Sequence, residues 1–367
     1  MKPKSMKPGI YLMLLSTAIL IGFNSCSQDD EPEVKGKNAM LELFIEGTPG
    51  YKASGALPPD DDTGDAKITR LTIGVFDSSD KVNVIAEPSL AVGAKATVTC
   101  EPGDNNSVIV VANAPAGTYA GVTTKTDFIA KTLSLTQDKS ILPMTGTKTG
   151  LNLTGGGTLQ ETVSLTRLVA RVQITSLKTK FEGGGQYANG KFVLDKIFMT
   201  NVKSKSNTAI ISTEPVTSDL VHGWTETSTN PDFLSIIDPK VEITEAGYTT
   251  PHYFYTFANK DVVNTTRLII AGYMKPTGVE PEDENTYVYY PIVINKTQIG
   301  TEIEENGNPV TENRDGYIDR NKIYSLTATI KGKGVKDPDE EIIPANLELT
   351  ISVEKWALTV NQNVEFE

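Results

Sequence analysis

The side chains that most often carry chemistry in proteins are scarce in this sequence. It contains two cysteines, Cys26 and Cys100, and two histidines, His222 and His252, among 367 residues. Two cysteines cannot supply the paired motifs of a structural zinc site, and the two histidines lack metal-ligand spacing. We therefore predict no metal site and interpret both histidines as structural or surface residues.

Catalytic motifs are also missing. The sequence has no GxSxG, HExxH, Walker A or CxxC motif, and no Lys-Ser/Thr pair follows the glycines at 155–157, which predict a turn. The acidic clusters at 60–62 and 337–341 lack the spacing of an EF-hand loop and are interpreted as solvated charge. Paired carboxylates can hydrolyse glycosides, but the two tryptophans are few for a sugar cleft. We predict no catalytic residues, no cofactor and no enzyme.

The overall charge excludes one class of partner. The chain has 34 basic and 46 acidic residues, which gives a formal net charge of −12. Nucleic-acid-binding proteins need a basic surface, so we predict no nucleic-acid partner. The length suffices for two domains of ordinary size.

The first 25 residues have the pattern of an export signal. Lys2, Lys4 and Lys7 precede an apolar run at 10–23, which is shorter than a membrane-spanning helix. Cys26 follows this run, where bacterial lipoprotein signals carry the cysteine that is acylated and becomes the first mature residue. We predict a lipoprotein signal peptide at 1–25, lipidation of Cys26 and an acidic tether at 26–38. Plain secretion with cleavage nearby is the alternative.

The rest of the chain shows the two-residue period of β-strands rather than a helical period. A continuous apolar stretch at 161–177 contains two arginines, Arg167 and Arg171, that we expect to be buried. Residues 128–135 fit either a short helix or a strand. Regular strands separated by turn signals favour β-sandwiches, with domains predicted at 39–165 and 166–367. The other candidate strands are 39–46, 68–76, 82–85, 94–100, 107–112, 191–201, 253–258, 267–273, 286–293 and 317–330.

The first strand and the segment after it form a suggestive pair. Leu41, Leu43 and Ile45 lie on one face of the strand at 39–46. About twenty residues rich in Gly, Pro and Asp follow, and loops of this length and composition tend to be functional and open to proteases. Lys52 is the sole basic residue between Lys37 and Lys67.

The C-terminal tail, residues 345–367, keeps apolar side chains almost to its last position. The pattern predicts either the last strand of the chain's own sheet or a strand offered to another molecule. Its apolar residues form three successive alternating sets: Leu347, Leu349, Ile351 and Val353; then Trp356, Leu358 and Val360; then Val364 and Phe366.

Five motifs, in their order along the chain, resemble those of a known family. They are VIVVANAP (108–115), LPMTG (142–146), LTRLVARV (165–172), RNKIY (320–324) and VEKWALTVNQ (353–362). The chain resembles the Bacteroidetes fimbrillins, the major-subunit family of the type V pilus, over nearly its whole length.

The resemblance implies an all-β fold with two Greek-key, transthyretin-like β-sandwich domains in tandem. It also implies a structural pilus subunit that supports adhesion and polymerises by donor-strand exchange. A surface protease removes the lipid anchor and the first strand from an outer-membrane lipoprotein precursor. The tail of another copy or of a related pilus subunit then fills the groove, which builds an extracellular fimbrium.

Specific residues follow from this mechanism. Leu41, Leu43 and Ile45 are the anchors expected to leave, and the nine apolar tail residues named above are the candidate donors. Loss of an edge strand exposes backbone N–H and C=O groups and an apolar trench, and a donated strand restores both. Which part of the tail enters the groove stays open.

The processing site departs from the family pattern. The family is usually cut after an Arg in the loop that follows the first strand, and this loop has none. By position we predict cleavage between Lys52 and Ala53, with Arg70 as runner-up. Arg70 is expected inside the next strand and therefore protected.

The main alternative is a surface lipoprotein that does not polymerise, such as a tip or anchor subunit that binds glycan or host protein. A binding module of this kind needs an extra domain or an aromatic platform, and neither is evident in the sequence.

Overall fold

The structure is a computed structural model that describes residues 37–47, 65, 67–88, 95–181, 183, 187–208, 220–275, 286–296, 316–342 and 346–355. In these ranges no helix has the length and apolar character needed to cross a membrane. Several predicted features lie outside the described residues: the signal 1–25, most of the tether, the acidic cluster at 60–62, and Cys26, Lys52, Ala53, Trp356, Leu358, Val360, Val364 and Phe366.

The first half of the chain is built from strands joined by turns. One short helix, α1 at Lys125–Ala130, begins at Thr124, whose side chain accepts a hydrogen bond from the backbone N–H of Asp127. The ambiguous stretch at 128–135 therefore contains both the end of a helix and a strand. The strands are β1 Ala39–Gly47, β2 Leu71–Phe76, β3 Val82–Ala86, β4 Lys95–Cys100, β5 Gly103–Ala112, β6 Thr132–Ser134, β7 Met144–Leu153 and β8 Thr158–Arg167.

Seven of these strands form one sheet in the order β3-β2-β5-β7-β8-β1-β4. Strands β7 and β8 are joined through Met144 with Arg167 and Thr145 with Thr166. The strands on one side of this junction are β3, β2, β5 and β7, and those on the other side are β8, β1 and β4. Apolar residues from both groups share one core, so the two groups form the two layers of a sandwich. This N-terminal core includes Leu41, Leu43, Ile45, Ile73, Val75, Val98, Val108, Val110, Val163 and Leu165.

The second half of the chain repeats this architecture. The strands are β9 Val169–Thr179, β10 Lys191–Thr200, β11 Val202–Lys203, β12 Lys205–Asn207, β13 Leu220–Val221, β14 Leu234–Ile243, β15 His252–Phe257, β16 Arg267–Lys275, β17 Tyr287–Val293, β18 Lys322–Ile330 and β19 Leu347–Lys355. Two four-stranded sheets, ordered β14-β10-β16-β17 and β15-β9-β18-β19, enclose the C-terminal core.

A third apolar cluster joins the two halves. Phe76 and Phe128 from the first half share it with Phe257 and Ile323 from the second. Strand β6 also pairs with β12, which lies on the other side of the chain's midpoint. The cluster therefore covers the face of β2 and β5 that points away from the N-terminal core.

The all-β, β-sandwich fold class is confirmed, while several details differ from expectation. The stretch 161–177 is not one strand, because the chain breaks at Leu168 between β8 and β9. Its two arginines are buried as predicted, with Arg167 1% and Arg171 2% exposed. The domain boundary near residue 165 stays a prediction.

Candidate functional site: the buried first strand

Strand β1 lies inside its sheet, between two neighbours. It pairs in parallel with β8 from Met40 to Gly47, and antiparallel with β4 from Ala39 to Phe44. The expectation that an edge strand would be removed is therefore wrong. Loss of β1 would strip ladder partners from two strands at once and detach β4, whose one described partner is β1.

The inward face of β1 is sealed. Leu41, Leu43 and Ile45 are each 0% exposed and pack in the N-terminal core, as the alternation predicted. Burial of three such side chains contributes about 5–9 kcal/mol, at about 1.5–3 kcal/mol each. An empty β1 position would expose a long apolar trench, which must be refilled for the sandwich to keep its stability.

The outward face of β1 carries a polar tie to both neighbours. The Glu42 carboxylate lies 2.6 Å from Lys95 Nζ on β4 and accepts a 2.8 Å hydrogen bond from Gln160 on β8. Chiefly because of the contact with Lys95, the pKa of Glu42 is below its usual range. This polar contact lies on the solvent-facing side of the strand and links β1 to both neighbouring strands.

Cys100 reports on the state of this site. It is 2% exposed, belongs to the N-terminal core and lies opposite Ala39 of β1 in the register. The thiol is free in the described structure, and burial raises its pKa to about 11. A buried thiol with a raised pKa is a poor nucleophile, so Cys100 is masked while β1 stays in place.

Asp65, in the segment between β1 and β2, is buried in the protein body. This side chain is 1% exposed, and its carboxylate lies 2.8 Å from Arg167 Nη2 and 3.5 Å from Arg171 Nη1. Arg167 Nε also donates to the backbone oxygen of Asp65. Burial lowers the pKa of Arg167 to about 10 although Asp65 opposes that shift. Sequence reasoning missed Asp65, and the available signal was that two buried arginines need a carboxylate.

The position of Arg70 differs from the prediction. Arg70 precedes β2 rather than lying within it, and its side chain is 44% exposed, with a 3.3 Å ion pair to Glu87. Its backbone is nevertheless held, because the Arg70 carbonyl accepts a 2.9 Å hydrogen bond from the N–H of Asn113. Protection of this bond would rest on the backbone contact and not on strand membership.

The first alternating set of the tail is already used within its own subunit. Strand β19 is an edge strand that pairs antiparallel with β18 over nine residue pairs, including Tyr324 with Val353. Leu347, Leu349 and Ile351 are 2%, 5% and 1% exposed and pack in the C-terminal core. The structure does not bring them near β1.

An aromatic cluster lies on the face of β10, β16 and β17 that points away from the C-terminal core. Lys196 Nζ lies 4.8 Å from the centre of the Trp224 ring, and the Tyr287 hydroxyl donates a 2.8 Å hydrogen bond to Asp195. Phe198 and Tyr289 of this cluster are buried and the other rings are half-buried, so the expectation that the chain has no aromatic platform stays a prediction. The cluster consists of Phe198, Trp224, Tyr273, Tyr287 and Tyr289. It arises because residues far apart in sequence meet across three strands.

The two histidines and the acidic cluster at 337–341 form hydrogen bonds and ion pairs within the protein. His222 Nδ1 accepts a hydrogen bond from the N–H of Asn201, and His252 Nε2 lies 2.9 Å from the Tyr248 hydroxyl. In the acidic cluster at 337–341, Glu341 pairs with Lys296 at 2.8 Å. Within the described ranges, no group of three or more His, Cys, Asp or Glu side chains could hold a metal ion.

Replacing Leu43 by Ala should lower the free energy of unfolding of the uncut chain by about 2–5 kcal/mol, because the substitution opens a cavity in the N-terminal core. Denaturant-induced unfolding measures this loss. Met40→Ala is the matched control, since Met40 lies on the same strand with 41% exposure and should cost less than about 0.5 kcal/mol. Equal effects of the two substitutions would contradict the buried register of β1.

Comparison with known proteins bears directly on this site. The profile of the family described as "Major fimbrial subunit protein (FimA)" matches residues 41–175, which include β1 from its third residue onward and both of its neighbours. The chain is 24% identical over 400 aligned residues to the major fimbrium subunit FimA type-5 of Porphyromonas gingivalis. That alignment covers 95% of this chain and 97% of the relative. The predicted resemblance to the fimbrillins is confirmed.

Two further similarities extend the comparison. The crystal structure of a fimbrilin from Porphyromonas gingivalis W83 superposes with a TM-score of 0.68 at 21% identity and covers 89% of this chain and 99% of that one, which shows a shared fold. A proposed fimbrium tip subunit, Fim1C of Parabacteroides distasonis, is 25% identical over 226 residues, covering 53% of this chain and 58% of that protein.

The family match also bears on the broad class of function. The matched family is one of structural fimbrial subunits, which confirms the prediction that the chain is not an enzyme. The chain is similar to the fimbrillins, and the supported function is the coarse one of a fimbrial subunit with a role in adhesion at the cell surface.

Proposed function

We propose that this protein polymerises by donor-strand exchange, in which the tail of one copy replaces β1 of the next. The observation that carries the proposal is the position of β1: an interior strand with a fully buried inward face, followed by the long segment that contains Lys52. The Lys52–Ala53 bond lies beyond Gly47, the last residue of β1, so the described pairs of β1 with β4 and β8 do not include it. Cleavage there frees the strand from its covalent tether, so that a strand from another molecule can compete for the groove.

The second and third tail sets suit this groove. Trp356, Leu358, Val360, Val364 and Phe366 occupy even positions, so an extended strand places all five on one face, with Gln362 as the polar exception. The inward positions of β1 have the same two-residue period. We infer that residues 356–367 are the donor, while β19 keeps its nine pairs with β18 and ties the donor to its own subunit.

The geometry of the exchange leads to a filament. The donor at the C-terminus and the acceptor in the N-terminal sandwich are different surfaces, so each contact leaves a free donor and a free acceptor. Such head-to-tail contacts produce open polymers rather than closed rings. The partners are copies of this chain or related pilus subunits, and a surface protease performs the cut.

The start of the pathway rests on sequence alone. The signal at 1–25 and the placement of Cys26 support an outer-membrane lipoprotein precursor with an acyl chain such as palmitate on Cys26. Removal of residues 26–52 then releases both the anchor and β1, and the subunit passes into the extracellular fimbrium. We also retain two tandem sandwich domains, 39–165 and 166–367, as the units that separate acceptor from donor.

The reactivity of Cys100 tests the opening of the groove. In a Cys26→Ser chain, native Cys100 should react slowly with a maleimide at pH 8, because the thiol is buried with a pKa of about 11. When β1 has been cut off and removed, a thiol pKa that returns to its ordinary range gives about 100-fold more thiolate. A peptide of residues 356–367 should restore the protection. An unchanged labelling rate after removal of β1 would contradict the proposal.

One observation favours a second candidate function, a tip or other ligand-binding subunit. The half-buried rings of Trp224, Tyr273 and Tyr287 lie beside Lys196, Lys240 and Asp195, and aromatic rings next to charged groups occur in glycan-binding sites. The partial match to the proposed tip subunit points the same way. A glycan-array screen of the wild-type chain against Trp224→Ala distinguishes the two, because a stalk subunit should show no binding that depends on Trp224.

A further inference from the structure

Three basic residues follow β1 before β2 begins: Lys52, Lys67 and Arg70. All three could in principle be processed by a protease specific for basic residues. They lie on opposite sides of Asp65, with Lys52 before it and the other two after it. The contacts of the chain from Asp65 to Arg70 therefore bear on which cut the protein can accept.

Two separate sets of contacts hold this part of the chain. The first is the buried ion cluster of Asp65 with Arg167 and Arg171, which lies where β8 ends and β9 begins. The second is the side chain and backbone of Asn113, just after β5.

Asn113 binds the chain at three successive points. Its Nδ2 donates a 2.8 Å hydrogen bond to the Lys67 carbonyl, and its Oδ1 accepts a 2.9 Å hydrogen bond from the N–H of Thr69. Its own N–H donates to the Arg70 carbonyl. Asn113 has a φ of 63°, a left-handed conformation that Asn and Asp adopt more readily than most residues, and this turns its side chain toward the neighbouring segment.

We propose that Asp65, Lys67, Thr69 and Arg70 form a clamp that limits processing to Lys52 and keeps β2 in place when β1 departs. This inference rests on the proposed function, since it concerns the cut that releases β1. A protease must draw the backbone around the scissile bond into its cleft. The carbonyls of Lys67 and Arg70 are the carbonyls of their scissile bonds, and Asn113 binds both.

Of the three possible cuts, cleavage after Lys52 is the one that keeps the buried ion cluster intact. Cleavage after Lys52 leaves Asp65 in the body of the subunit, so the ion cluster survives. Cleavage after Lys67 or Arg70 would remove Asp65 together with β1, and Arg167 and Arg171 would lose this carboxylate while still buried. A buried charge that loses a partner is strongly destabilising.

Limited proteolysis of the uncut full chain tests the clamp. Lysine- and arginine-specific proteases are applied under native conditions, and new N-termini are mapped by mass spectrometry over time. In the wild type, the main new N-terminus should be Ala53. Cleavage after Lys67 and after Arg70 should each be at least about tenfold slower than cleavage after Lys52. Asp65→Asn should raise the rates at Lys67 and Arg70 by at least about tenfold. Asn113→Asp removes the Nδ2 donor to the Lys67 carbonyl but keeps the backbone N–H that binds the Arg70 carbonyl, so it should raise the rate at Lys67 by at least about tenfold and change the rate at Arg70 less. Asp104→Asn, an exposed acid on β5, is the matched control and should leave the pattern unchanged.

Asp65→Asn and Asn113→Asp disturb different contacts, so loss of folding in one of them leaves the other as a valid test. If Asp65→Asn unfolds the whole chain, cuts appear throughout, and Asn113→Asp then carries the test because it leaves the ion cluster intact and suits the left-handed φ. Wild-type cleavage patterns in both variants would overturn the clamp. If the clamp behaves as expected but Cys100 stays masked after β1 is removed, the proposed function fails and the clamp stands.

Discussion

Deleting residues 356–367 should abolish filament formation and leave a folded subunit that still accepts a donor. The structural reason is that the deletion begins after β19, whose nine pairs with β18 and buried Leu347, Leu349 and Ile351 remain. Four lost anchors, Leu358, Val360, Val364 and Phe366, are worth roughly 6–12 kcal/mol in a filled groove. Ordering the tail offsets part of that gain.

The measurement is the ladder of SDS-resistant oligomers after cleavage at Lys52. The truncated chain should give no ladder by itself, and mixed with wild type it should cap growing polymers and shorten the ladder. A sharper pair of variants tests the register: Leu358→Asp with Val360→Asp should act like the deletion, whereas Thr359→Asp with Asn361→Asp lies on the other face and should preserve assembly. Filaments formed by the truncated chain would show that residues 356–367 are not the donor.

Lys52→Gln should keep the chain monomeric under a lysine-specific protease that converts the wild type into oligomers. Without the cut, β1 stays covalently attached and occupies its own groove. Its pairing with β4 and β8 then excludes a competing strand. The high effective concentration of a tethered strand favours it over a donor from solution. We expect loss of essentially all oligomers, since Lys52 is the sole basic residue in the segment before Asp65.

Lys67→Gln is the matched control for this substitution. It removes a lysine of the same connection, but the Lys67 carbonyl is bound by Asn113 and the bond is expected to resist cleavage. Oligomer yield should therefore equal that of the wild type. If Lys52→Gln still polymerises, N-terminal mapping of the product will identify the bond that the protease uses instead.

The interior position of β1 gives the precursor an unusual energetic profile. An edge strand could leave with the loss of one ladder, whereas β1 is shared by β4 and β8 and ties both through Glu42. The uncut subunit should therefore be well protected against premature exchange. In the proposed exchange, a donor in the same position would pair with both β4 and β8, and we expect the polymer to be more stable than a single edge pairing would make it.

Much of the local structure was predictable because it depends on neighbouring residues. The two-residue period of Leu41, Leu43 and Ile45 places them on one face of any extended strand, and their burial confirms the prediction. The same reasoning found the strand character of Leu347, Leu349 and Ile351. The buried arginines, Arg167 and Arg171, were expected because apolar, β-branched residues surround them.

The tertiary structure determined the strand neighbours and long-range partners that the sequence did not predict. Residue period fixes a face but does not specify neighbours, so the interior place of β1 between β4 and β8 followed only from packing across more than fifty residues. Asp65 stands 102 and 106 residues from the arginines it pairs with, a separation that no local pattern encodes. The aromatic cluster and the hydrogen bond from the Asn113 N–H to the Arg70 carbonyl also join groups that are distant in sequence. Such contacts require closeness in space, which only the folded chain provides.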